Sequence, residues 1–121
     1  MRVLNSTRKT VLSENASRVD SFWGRLRGLM FSKPADMVLA APRQSVEHAA
    51  IHMFFMRYPI DVVWADAGLV VVDVRRRVEP ARMHRPKTWG ILRPKAPATY
   101  VVELGVGNAG DTRLGDVISF V

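Results

Sequence analysis

The chain has no cysteine in its 121 residues. That absence excludes disulfides, thiolate zinc sites, iron–sulfur clusters and cysteine nucleophiles together, and it fits a reducing compartment. Long hydrophobic runs are missing as well. The longest nearly uncharged apolar stretch, Ile51 to Met56, falls far short of the ~20 residues that span a bilayer. Met1 to Lys9 carries charge with no apolar segment behind it, so the expectation is a cytoplasmic protein without a signal peptide and without membrane contact. The serines lack a nucleophile elbow or a Ser-x-x-Lys setting. Gly105 to Gly110 spells G-x-G-x-x-G, but no helix of adequate length follows, so it does not make a dinucleotide site.

What is present is apolar residue in quantity, 48% of the chain, enough for one core and a single domain over residues 1–121. Residues 1 to 16 read as a short strand pair, with Val3, Leu4, Val11 and Leu12 around a polar turn. Val19, Phe22, Trp23, Leu26, Leu29 and Met30 then recur with helical spacing, and Asp20 is an N-cap candidate, so a helix is expected over Asp20–Met30. Beyond Met37 the period becomes that of strands. Met37 to Ala41 is a short run interrupted by Pro42, and Val46 to Met56 reads as a strand covered on both sides. Ile60 to Trp64, the turn Asp66-Ala67-Gly68 and Leu69 to Val78 read as a hairpin. In its return strand Val70, Val72, Val74 and Val78 share one face, and Asp73, Arg75 and Arg77 the other. Glu79 to Pro97 reads as a long loop. Thr99 to Leu104 and the segment ending at Phe120 supply the last strands. The chain shows no internal repeat. The expected fold is mostly β (β-rich α+β): a small barrel or rolled sheet of about six or seven strands with one covering helix near the N-terminus.

Three strings stand in order along this pattern: Gly28-Leu29-Met30-Phe31, then Ile51 to Trp64 with its core Phe54-Phe55-Met56-Arg57-Tyr58-Pro59-Ile60-Asp61, then Tyr100-Val101-Val102-Glu103-Leu104 followed by Leu114-Gly115-Asp116. Together they resemble the uncharacterised family called domain of unknown function 192, or uncharacterised protein family 0127. Four residues, Arg57 to Ile60, separate Met56 from Asp61, fewer than in many members of that family. The resemblance implies a compact β-barrel-like domain with a helix, and it implies no established activity.

Charge gives the functional clue. The net charge is +7, and Arg75 to Lys95 holds eight basic residues against Glu79 alone, so that segment accounts for all of it. Such a local excess suits docking of an anion. Arg57 and Asp61 flank the Pro59 turn and could pair across it, or, beside Tyr58, present one charge of each sign to a small polar ligand. Asp116 after Gly115 has the setting of a turn-fixing carboxylate. His52 lies among Met and Phe and would need a partner to act as a base. His48 and His52 share a strand face about 13 Å apart, too far for one metal.

The ligand-binding candidates are therefore His52, Arg57, Tyr58, Asp61, Arg75, Arg77, Arg82 and Trp89. No catalytic set, metal site or cofactor is expected. The partner expected is an anionic small molecule or an acidic protein, used by a non-enzymatic binding or accessory domain. The alternatives are sequence-independent nucleic-acid binding, with Trp89 as a stacking surface, and an enzyme using His52 and Asp61 as acid and base.

Overall fold

The computed structural model describes residues 1–19, 36–52, 58–79 and 91–121. They contain ten strands: β1 (Val3–Asn5), β2 (Thr10–Ser13), β3 (Ala16–Val19), β4 (Asp36–Ser45), β5 (Ile51–His52), β6 (Ile60–Ala65), β7 (Val71–Val78), β8 (Ile91–Leu92), β9 (Ala98–Gly105) and β10 (Ile118–Phe120). Two main sheets have the orders β10-β1-β2 and β3-β4-β9-β6-β7, and β5 and β8 form a two-stranded ribbon.

This corrects the expected barrel or rolled sheet with a covering helix. No sheet among the described residues closes on itself, and the described residues include no helix. The expected helix Asp20–Met30 lies outside them, so a covering helix has no support. Closure fails because the outer edge of β7 is occupied near its start. Val70 bridges Val117, Val71 N donates to the Asp116 carbonyl, and Gly115 N donates to the Val71 carbonyl. That segment leads directly into β10, so the two sheets meet at a corner. A second corner forms where Ala16 N donates to the Met1 carbonyl.

The first core lies between the two main sheets. Val3, Leu12 and Ile118 from the small sheet meet Val38, Val63, Val71, Val102 and Leu104 from the large one. The second core lies on the other face of the large sheet, where Met37, Ile60, Val62, Trp64 and Val101 gather with Ala49 and Ala98. β6 is therefore covered on both faces, and all six of its residues are buried. That is why it reads as an almost continuous apolar run. Each large apolar side chain so buried contributes ~1.5–3 kcal/mol. Trp64 Nε1 donates to the Ala49 carbonyl at 2.8 Å, which anchors the segment before β5 over this second core.

Several strands depart from the sequence reading for local reasons. β4 runs through Pro42 because its register to β9 shifts between Ala40 and Ser45, which leaves the proline in an irregular stretch where no ladder N–H is needed. β3 pairs in parallel with β4. Of the described part of the expected strand Val46–Met56, only Ile51–His52 is extended in a ladder, with β8 as its partner. β8 also gives the expected long loop Glu79–Pro97 some structure.

Candidate functional site

β7 is an edge strand of the large sheet, and two register shifts against β6 decide where its charges point. Ala65 pairs with Val71 and Trp64 with Asp73, so Val72 is an extra residue. Val62 pairs with Arg75 and Ile60 with Val78, so Arg76 and Arg77 together oppose Asp61. Each bulge reverses the alternation of side chains between the two faces. The valine stripe is split as a result. Val74 packs on the first core, while Val72 and Val78 pack on the second.

Asp61 pins the second bulge. Its carboxylate is 1% exposed. Oδ1 accepts Arg77 N at 2.9 Å, and Oδ2 accepts Gly107 N at 3.0 Å and Ala109 N at 3.1 Å. Arg77 adopts φ +52°, a left-handed conformation uncommon outside glycine, and Asp61 holds its N–H there. The glycine-rich turn at 105–110 thus does act as an anion-binding nest, and the anion it binds is the protein's own Asp61.

Asp73 is fully buried, which overturns its expected place on a charged outer face. Oδ1 accepts Val74 N at 2.8 Å and Oδ2 accepts Lys95 N at 3.1 Å. This acid ties β7 to the segment that follows β8. Arg75 Nε stands 3.6 Å from the same Oδ2, and its side chain is 41% exposed. Arg77 Nε stands 3.5 Å from Glu79 Oε1, and its side chain is 69% exposed. Both separations exceed the 2.7–3.2 Å usual for a hydrogen bond. Arg93 is used differently, with its Nε donating to Glu47 at 2.9 Å.

Asp116 is the second internal carboxylate with a full set of donors. Asn5 Nδ2 donates to it at 3.0 Å, Arg113 N at 3.1 Å, and Arg8 through Nε at 2.6 Å and Nη2 at 3.3 Å. Burial pushes its pKa up, but the bonds from Asn5, Arg8 and Arg113 and the Arg8 charge outweigh that and hold it below the usual carboxylate range. The cluster fastens the β1–β2 hairpin to the turn before β10.

The predicted site residues are therefore dispersed. Asp61 is buried on the first-core face of β6, Tyr58 packs half-buried against the second core, and the backbone of His52 pairs with Ile91. Arg75 lies on the second-core face and Arg77 in the bulge. Arg57, Arg82 and Trp89 lie outside the described residues, as does the Arg57 half of the expected Arg57–Asp61 pair. Sequence reasoning missed Asp73 and Glu103, both buried. The available signal was an acid inside an apolar run, Val70-Val71-Val72-Asp73-Val74 and Val101-Val102-Glu103-Leu104. It also missed Arg76, for which the sequence offers no signal. Among the described residues no three of His, Asp or Glu gather as a metal-binding group, and no helix is long and apolar enough to cross a membrane.

Comparison with known proteins now decides the family. The family model for DUF192, described as Uncharacterized ACR, matches residues 3–120. The chain belongs to the DUF192 family. A UPF0127 protein of Thermococcus kodakarensis is 33% identical over 98% of this chain and 72% of its own length, and one of Thermococcus gammatolerans is 34% identical over 98% and 74%. Among solved structures, a Sinorhizobium meliloti protein described as a "putative transcription regulator" superposes with a TM-score of 0.76 at 15% identity, over 98% of this chain and 89% of that one. A Novosphingobium aromaticivorans protein of unknown function gives 0.74 at 16%, over 98% and 82%. The two solved structures share the fold and the family is uncharacterised, so function rests on the site itself.

Proposed function

We propose that this DUF192 chain is a single binding or accessory domain over residues 1–121 that takes an anionic small molecule or an acidic protein segment at the exposed part of β7 around Arg75 and Arg77. The observation that carries this reading is the loose hold on Arg75 and Arg77. Their guanidinium groups stand 3.6 and 3.5 Å from the nearest acids and are well exposed, so their N–H donors are available to a ligand. Asp73 and Asp61 support it by fixing the backbone on which these arginines ride. Arg82 and Trp89 are proposed for the same ligand on the charge and stacking argument from the sequence alone. His52, Arg57 and Tyr58 are proposed with them from their place before Pro59 in the sequence. Asp61 serves as a scaffold, because its oxygens are committed to three backbone N–H groups. This argues for binding rather than acid–base chemistry with His52. The lack of cysteine supports a cytoplasmic setting.

Calorimetric titration with a hexaglutamate peptide tests the proposal. Binding is expected, with about fivefold loss in an Arg75→Gln/Arg77→Gln variant, since charges at a binding rim tune association. Equal affinity of the two proteins would refute it. A second reading, nucleic-acid binding, is favoured by the description of the Sinorhizobium meliloti relative in fold as a "putative transcription regulator". It requires affinity for duplex DNA to fall with salt by about 0.9 log units per log unit for each phosphate neutralised. A flat salt dependence removes that reading.

A further inference from the structure

The first-core side of β7 carries a second basic feature that does not depend on Arg75 or Arg77. Val74 pairs with Val63 on the first-core face, whereas Arg75 pairs with Val62 on the second. Beside Val74, Arg76 crosses to the turn before β10. Its Nε and Nη2 donate to the Gly110 carbonyl at 3.2 and 2.9 Å, and Nη2 also donates to the Thr112 carbonyl. A guanidinium has five donors in a rigid fork. These bonds use the Nε and Nη2 side, and the two Nη1 donors take no partner among the described residues. Arg76 is thus fixed in direction with one edge of its fork unspent, which lowers the ordering cost of binding.

Arg76 lines an open cleft of about 340 Å³ between β7 and the 110–114 turn, together with Val74, Asp111, Arg113 and Leu114. The volume lies at the small end of the range for ligand sites. Leu114 is a large apolar side chain held out to solvent at 54% exposure, and with Val74 it gives the cleft an apolar wall. The lining charges are two arginines and one aspartate, a net of +1. That balance suits a monoanion better than a phosphate dianion, which Asp111 would repel. A planar carboxylate also matches the guanidinium fork.

We propose that this cleft binds small amphipathic carboxylates, with Arg76 and Arg113 holding the carboxylate and Val74 and Leu114 packing its apolar body. The test is an NMR titration of the full chain with benzoate, with benzyl alcohol and inorganic phosphate in parallel at constant ionic strength. Benzoate is expected to shift the backbone amides of Arg76, Thr112, Arg113 and Leu114 saturably, and about tenfold more tightly than either control, the difference a charge-assisted bond supplies. Arg113→Gln and Leu114→Ser should each weaken benzoate by about fivefold. Both side chains are exposed, so neither variant threatens the fold, unlike a change at Arg76. Absence of saturable shifts, phosphate binding as tight as benzoate, or unchanged affinity in both variants would overturn the inference. Shifts confined to Arg75 and Lys95 would also overturn it while leaving the proposed function standing.

Discussion

The carboxylates of the first-core side and the arginines of β7 carry opposite charges, and the fold treats them in opposite ways. Asp61 and Asp116 sit in the interior, held by hydrogen bonds of 2.6 to 3.3 Å from backbone and side-chain donors. Arg75 and Arg77 stand 3.6 and 3.5 Å from their acids and face solvent. The difference follows from solvation. A buried charge without donors is costly, so a buried carboxylate persists only where the chain satisfies it. An exposed ion pair contributes about 0–1 kcal/mol, so nothing forces it to close up. Asp61, which looks functional in the sequence, is therefore spent on structure like Asp116, and the arginines are what a ligand can use.

Replacing Asp61 breaks this comparison hardest. Asp61→Ala leaves three backbone N–H groups without their acceptor, that of Ala109 buried and those of Arg77 and Gly107 partly so, each worth roughly 1–3 kcal/mol. A loss of about 3 kcal/mol or more is expected in chemical denaturation. A loss below about 1 kcal/mol would mean that the bulge and the 105–110 turn hold themselves.

Asp116 comes next, and pH exposes its share. Its folded pKa lies below the ordinary value, so its contribution is fully present above about pH 4 and is lost as pH falls through the folded value. Asp116→Asn should cost about 1–3 kcal/mol at neutral pH, and the gap from the parent should close in acid. A gap that stays constant from pH 7 to pH 3 would exclude the ionised form as the source.

Arg76 stands between the two groups, since it is basic yet bound to the Gly110 and Thr112 carbonyls. Arg76→Gln is expected to cost about 1–2 kcal/mol, more than the about 0.5 kcal/mol expected for Arg75→Gln. Equal costs measured by thermal unfolding would erase the distinction between latched and loose arginines on this strand.

The strands were legible where both the pattern and the pairing are regular. The β1–β2 hairpin, the β6–β7 hairpin and β9 follow directly from apolar runs bounded by polar turns. Misreadings fall where one residue is inserted. Val72 and the Arg76–Arg77 pair each shift the parity of β7, so Asp73, placed outside by simple alternation, is buried under Lys95 N. Pro42 looks like a strand end because the irregularity that tolerates it depends on β9, far along the chain. The barrel expectation failed for the same kind of reason, since whether edges meet is decided by the 115–117 segment pairing with the start of β7. For the candidate site, charge excess was visible, but which arginine is bound and which is loose depends on carbonyls and acids brought in from distant segments.

The smallest expected effect separates backbone from charge at Arg77. Its φ of +52° suits glycine better than any side chain, so Arg77→Gly should keep the bulge and stabilise the fold by about 0.5 kcal/mol. The same change removes a guanidinium that makes only a long contact with Glu79. If the fold tolerates strain at this position for the sake of a ligand, stability rises while hexaglutamate affinity falls. If Arg77 instead stabilises the bulge through its side chain, thermal unfolding shows a lower midpoint in the variant. The two quantities should therefore move in opposite directions at Arg77, whereas at Asp61 both should fall together.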